Sequence, residues 1–454
     1  MLSGKSCRLI FGLSLCLAGC TQYKAMPVSS SAVASGLAAP SPEKLQVEAR
    51  SLHHPLLKPV EFDERSGLTP DQAAILAVLI NPSLRAARDE RGLAGAQLLQ
   101  AGILPNPQLN FGEQIPYGGV LDGAVTASAV GISWDLTELL GQNARVNAAK
   151  SNAASVDLDI AWQEWQTAQA ARTAVYDLVS LQMQLDLSQQ LDRQLAENLS
   201  VVRDAVDHHD KTLMDLSAAE SQSLDAHAAV VSLQRDLDDA RLTLNKTLGL
   251  PPDAQVRLNP KIAMDENVAI PTAGQVLHGL EDRRLDLVAL RLGYQSQEET
   301  LRAAVLEQFP KVNLGFNRQR DDTNIQSLGF AVTVDLPIFD RNQGAIAVAT
   351  ATRQKLFDEY IQRVFEARYD VYTAIEDLTA ISRQIAAEES AYPSLQRLID
   401  TYQDAYTHGN VDVLSYYSAI TSLTQKQLDV LKLRQELTDN RIALELAAGE
   451  YLPG

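Results

Sequence analysis

The chain has 454 residues, of which 6% are aromatic and 21% charged, and its formal net charge is −18. So acidic a molecule is a poor partner for nucleic acid, whose phosphates require a basic face. Ala, Leu, Gln and Asp recur throughout while Gly and Pro are confined to a few places, a balance that favours long helices over a sandwich or mixed sheet.

In chain order, Lys5 and Arg8 first flank an apolar run from Leu9 to Leu17 that closes in Leu17-Ala18-Gly19-Cys20. This is the layout of a secretory signal over residues 1–19. Its ending resembles the bacterial lipobox, in which the cysteine becomes the lipidated first residue. Cys20 is therefore the expected palmitate-bearing anchor; the alternative is an ordinary signal with a chance cysteine. Thr21 follows, where Asp would resemble an inner-membrane retention signal. Cys7 and Cys16 fall within the signal, so Cys20 is the sole cysteine beyond it and no intramolecular disulfide can form. No later stretch has about 18 consecutive apolar residues, so membrane contact must come from the lipid or from strands. Residues 20–67, with Pro27, Pro40, Pro42, Pro55 and Pro59, read as an extended lipid-anchored tether.

From residue 68 the chain is written twice, as a first repeat over 68–250 and a second over 283–454, joined by a linker at 251–282. Asp135-Leu136 matches Asp335-Leu336, Leu244 matches Leu444 and Gly249 matches Gly449 at a constant offset. Upstream the register drifts, with Leu84 opposite Leu287 and Pro105 opposite Pro310. Each repeat begins with a helix, the first running from Pro82 to about Leu104, and then changes to period 2. In the hairpin at 107–137, Leu109, Phe111 and Ile115 alternate with polar residues. Val125, Ala127 and Ala129 then give way, after a one-residue slip, to Val130, Ile132, Trp134 and Leu136, which predicts a bulge. In the hairpin at 310–337, Val312, Leu314 and Phe316 alternate, as do Leu328, Phe330, Val332, Val334 and Leu336. Pro116-Tyr117-Gly118-Gly119 and Arg320-Asp321-Asp322-Thr323-Asn324 supply the turns.

A helical hairpin follows each pair of strands, at 142–248 and at 344–449. Neither Gly nor Pro interrupts Gln142 to Leu248, and apolar periodicity lapses only at His208-His209-Asp210-Lys211-Thr212. A helix from Gln142 to Asp207 is about 100 Å long, well beyond an ordinary globular helix. The return helix is about 50 Å and the helix before the strands about 35 Å, so together they nearly match the long one. Leu216, Ala219, Ser223, Ala226, Val230, Leu233, Leu237, Ala240 and Leu244 form a small-residue seam suited to close antiparallel coiled-coil contact or to a bundle core. The second helical hairpin reverses at Thr407-His408-Gly409-Asn410, and Pro393 predicts a kink or break shortly before it.

Four strands cannot close a membrane barrel, which needs about eight strands and no free edge. Two chains would supply eight and three would supply twelve, and only the wider barrel leaves a water-filled lumen. The fold class expected is mainly α with a membrane β-barrel contribution. Long antiparallel helices would run on from a shared 12-stranded trimeric barrel.

Leu68-Thr69-Pro70-Asp71-Gln72-Ala73-Ala74 through Asn81-Pro82-Ser83-Leu84, Leu104-Pro105-Asn106-Pro107, Leu336-Pro337-Ile338-Phe339-Asp340-Arg341-Asn342-Gln343-Gly344 and Tyr406 to Leu414 occur in that order. Together they resemble the TolC-type outer-membrane factors over about residues 68 to 452, and the Pro337–Gly344 stretch resembles the branch paired with cobalt-zinc-cadmium resistance pumps. The resemblance implies a homotrimer in the outer membrane whose long helices form an α-barrel, anchored in its lipid and extending into the periplasm. It implies an equatorial belt including the linker, and a periplasmic adaptor of the membrane fusion type working with an RND-type inner-membrane pump. The function implied is a passive efflux duct for heavy-metal cations or drugs. A duct for type I protein secretion, or a non-spanning periplasmic coiled-coil scaffold, are the alternatives.

The resemblance also implies that Asp412, Asp215 and Tyr406 line a periplasmic gate. Ser415 stands where a family member carries a second Asp, and both acids also suit a helix N-terminus. No phosphate loop, zinc motif or Cys-rich set is present, so neither an enzyme nor a cofactor is expected. His208, His209 and His408 sit at equivalent reversals, where a metal ring and plain solvated turns are the two readings.

Overall fold

The computed structural model describes residues 22–38, 40–62, 66–119, 122–264, 269–407 and 413–452. A small N-terminal unit ends at Ser41. Its one described helix, α1 (Ser30–Leu37), starts where Ser29 accepts a hydrogen bond from Ala32 N, and it buries nothing.

The main unit opens with α2 (Pro42–Arg50) and a strap over 51–62. The tether is therefore not extended throughout. Ala49 and Leu57 are buried with Ile75, Trp162 and Trp165, because the apolar residues between the prolines have a core to cover. His54 fixes the strap: its ring nitrogen Nδ1 accepts from Leu56 N and Leu57 N, and Nε2 donates to Ala161 O at 3.0 Å. Helix α3 (Pro70–Ile80) begins with a capping box between Thr69 and Gln72, followed by Pro70 at the first turn. Asn81 ends α3 and caps α4 (Pro82–Gly102) by accepting from Ser83 N.

Strands β1 (Gln108–Gln114) and β2 (Ala127–Asp135) precede α5 (Glu138–Asp207), whose 70 residues span about 105 Å. Helix α6 (Leu213–Leu248) returns along it and ends at Gly249 in the left-handed conformation. The buried residues Ala219, Ala226, Leu237 and Leu244 lie on the seam expected of it. After the linker come the short helices α7 (Ala273–Leu277) and α8 (Leu280–Arg283). Helix α9 (Leu285–Leu306), β3 (Lys311–Arg320), β4 (Gln326–Asp335), α10 (Gln343–Thr407) and α11 (Val413–Ala448) then restate the order of α4 to α6.

The strands form one antiparallel sheet in the order β1-β2-β3-β4. Near the sheet α5 packs between α4 and α9, with α10 beyond α9; farther away it packs against α6 and α11.

Two local expectations are corrected. There is no bulge in β2, which pairs residue for residue with β1 and β3. Ala127 and Ala129 share a face with Gly131 and Ser133, while Val130, Ile132 and Trp134 occupy the other. The slip arose from counting small alanines as part of the apolar face. Nor does the helix break at Pro393, since α10 runs through it to Thr407. The neighbours are clamped to α11: Glu388 pairs with Lys426 at 2.8 Å, Glu389 with Arg434 at 2.9 Å, and the Tyr392 hydroxyl donates to Lys426 O at 3.1 Å. These ties hold the segment helical despite the one backbone donor proline lacks.

Candidate functional site

The sheet has two unlike faces. On one, Leu109, Ile132, Phe316 and Phe330 stand side by side, with Phe111, Val130, Leu328, Val332 and Val334 around them. Most are about half exposed or more; Leu109 retains 75% of its surface and Phe330 70%. The other face is small and polar. It forms a concave trough of about 630 Å³ lined by Asn110, Gly131, Ser133, Asn313, Asn317 and Thr333, among others. Nothing among the described residues covers the apolar side, and an antiparallel sheet with one bare apolar face requires an apolar medium or another layer. Among the described residues, strands β1 and β4 each pair on one side only, leaving two unsatisfied edges.

Below the sheet, helix ends meet. The Asn81 amide donates to Thr247 O at 2.9 Å, so the end of α6 abuts the start of α4. The second half does the same with different chemistry: Arg283 Nε donates to Ala448 O at 2.9 Å and Arg284 lies against Gly449, joining α11 to α9. At this level Arg172 reaches Glu445 and Asp71 and lies 5.1 Å from the Tyr451 ring, while Arg284 pairs with buried Asp286 at 2.7 Å. Burial raises the Glu445 carboxyl, opposed by the Arg172 guanidinium. Farther along, the Asp439 carboxyl is pushed up to about 7 by burial first and then by Asp177 and Glu436.

At the far end, the turn after α5 places His209 at φ 62° and Thr212 at the start of α6. Asp215 is the reciprocal member of a capping box: its Oδ2 accepts from Thr212 N at 2.9 Å and Thr212 Oγ1 at 2.8 Å. These hydrogen bonds hold its carboxyl below the usual aspartate range. His208 is exposed and its Nδ1 donates to Asp204 O at 2.7 Å. Among the described residues no group of three His, Cys, Asp or Glu is arranged to hold a metal ion. Cys20, His408 and Asp412 lie outside the described residues, as does the side chain of Tyr406. Sequence reasoning missed Tyr417, which packs on Val202, Leu216 and Ala219, and the Gln222 to Ser418 bond of 3.4 Å; together these tie the two helical hairpins near their turns.

The model of the family described as outer membrane efflux protein matches residues 276–450. Over that segment the chain is similar to the outer membrane efflux proteins. It is 23% identical over 470 residues to the probable outer membrane lipoprotein SilC of Salmonella typhimurium, covering 97% of this chain and 96% of that one. To the cobalt-zinc-cadmium resistance protein CzcC of Cupriavidus metallidurans it is 22% identical over 381 residues, 82% of this chain and 88% of CzcC. The crystal structure of CusC superposes with a TM-score of 0.68 at 19% identity, covering 88% of this chain and 99% of that one. This chain and CusC thus share a fold.

Proposed function

We propose that three copies of this chain close into a passive duct, the outermost part of a tripartite efflux system. The observation that carries the reading is the sheet: one apolar face, one polar concave face and two unpaired edges. Pairing β4 of each copy with β1 of the next satisfies every edge, turns the apolar face to lipid and the polar face to a water-filled lumen. Helices of about 100 Å extend that lumen into the periplasm, where an adaptor and an RND-type pump meet it. Lipidation at Cys20 anchors the chain, and Asp215, Asp412 and Tyr406 restrict the periplasmic mouth.

The cargo proposed is heavy-metal cations, supported by CzcC, named for cobalt-zinc-cadmium resistance. A type I secretion duct has the same shape and differs only in cargo. A soluble scaffold is disfavoured by the bare apolar face.

Chemical crosslinking of detergent-purified protein tests the assembly, with a three-chain species as the expected limit. A monodisperse monomer that stays soluble without detergent would end the reading. For cargo, expression in a strain lacking its own metal-efflux channel should restore tolerance to cobalt, zinc or cadmium.

A further inference from the structure

The apolar face of the sheet changes character within two rows of its loop end, the end away from the helices. The strand register defines the rows. Leu109, Ile132, Phe316 and Phe330 form one; Phe111, Val130, Arg318 and Leu328 form the next; Glu113, Ser128, Arg320 and Gln326 form the last. Residues two apart on a strand are about 6.8 Å apart on the same face, so Arg318 and Arg320 stand one above the other.

Each arginine keeps donors to spare. Arg318, between Val130 and Leu328, directs Nη2 to Gln326 Oε1 at 2.8 Å, so its head leans out of the apolar band toward the polar row. Arg320 donates from Nη2 to Thr126 O at 2.8 Å, while its Nε is buried with no hydrogen-bond partner. A guanidinium has five donors in a planar fork that matches phosphate oxygens. Nearby acids do not fill that role. Asp321 accepts from Thr323 and Ile325 within its own turn, and Glu113 lies two strands away from Arg320, about 9.6 Å across the sheet. Lys311, the other cation of the strand, alternates onto the polar face beside Asp335, so the outward cations cluster at the loop end.

We propose that Arg318 and Arg320 form a binding site for the phosphate groups of anionic lipid in the outer leaflet. The proposal rests on the reading of these strands as membrane embedded. Its position follows from the row order: apolar residues mark the hydrocarbon, and the two arginines mark the level where lipid phosphates begin. A phosphate there accepts from the unused donors of both forks and offsets the burial of Arg320 Nε. Lipid-facing arginine is costly near the bilayer centre and tolerated at its boundary, which fits the height of Arg318 and Arg320 on the face.

The test is native mass spectrometry of the full chain in a neutral detergent, titrated with bisphosphorylated lipid A, with phosphatidylglycerol, and with phosphatidylcholine as the uncharged control. The parent should retain the two anionic lipids and shed phosphatidylcholine. The double variant Arg318→Gln, Arg320→Gln should retain them about thirtyfold less, the scale expected for two arginines at an anionic surface. Lys311→Gln, which removes one positive charge from the opposite face, should retain them as the parent does. Equal retention by parent and double variant, or an equal loss in Lys311→Gln, would overturn the site. Failure of the underlying reading looks different: the parent would then remain monodisperse without detergent and bind none of the three lipids.

Discussion

Asn81 and Gly249 are close enough that a side chain on Gly249 has nowhere to go. A Cβ there would lie 2.8 Å from Asn81 Cα and 2.8 Å from Pro82 Cδ, with φ at +75°. Gly249→Ala should therefore destabilise the protein by about 2 kcal/mol through left-handed strain and collision with backbone. Gly449→Ala, at φ +68° and 3.0 Å from Arg284 Cγ, should follow it with a smaller loss, because part of its neighbour is a side chain that can shift. Gly274→Ala, with nothing within 4 Å, should be neutral or slightly stabilising. Thermal unfolding of the three variants checks the order.

Cys20→Ala should abolish incorporation of labelled palmitate and leave the precursor unprocessed or mislocalised. Intact-mass measurement of the mature protein provides the check. A mature chain beginning at another, unmodified residue would reject the anchor.

At the periplasmic mouth, three chains would bring six carboxylates from Asp215 and Asp412 round one opening, where crowded like charges attract cations. The double change Asp215→Ala, Asp412→Ala should weaken cation block and cation selectivity in planar-bilayer conductance. Because Asp215 also closes a capping box, Asp215→Ala alone should also lower the melting temperature. Asp215→Asn keeps an acceptor for Thr212 and separates the two roles. If it conducts and blocks like the parent, Asp215 serves the helix and not the passage.

Asp439 gives a pH dependence of definite sign. Its folded-state value of about 7 lies above the ordinary 3.8. As pH rises between those values the unfolded chain releases the proton while the folded one keeps it, so stability falls across that window. Asp439→Asn removes this dependence. The variant's melting temperature should exceed the parent's by a few degrees above neutrality, and the gain should shrink toward pH 4. A gain independent of pH would assign the effect to packing.

The strands were legible because bulky and small residues alternate, and β3 and β4 lie within the expected 310–337. The long helices were legible because no glycine or proline interrupts 142–248. Their joints were not. Gly249 and Gly449 look like ordinary helix ends, and their partners Asn81 and Arg284 are remote in sequence, so only the packed chain brings them together. The strap was misread since proline content described its backbone while Ala49 and Leu57 decided its burial. The capping box was in plain view as Thr212-x-x-Asp215, yet the acid drew attention as a gate residue first. Tyr417 carried no signal, because one aromatic on a helix face has no period.

The helix-to-helix joints make the long helical hairpins unequal in stiffness. Helices α5 and α10 run unbroken from the strands to the turns, whereas α6 with α4, and α11 with α9, meet end to end through a few hydrogen bonds and a glycine. A torque applied at the turns passes along the unbroken helices to the sheet, but along the jointed ones it is taken up where the ends meet. Twisting the lower coil therefore swivels half of its members at the joints, with little rotation reaching the strands.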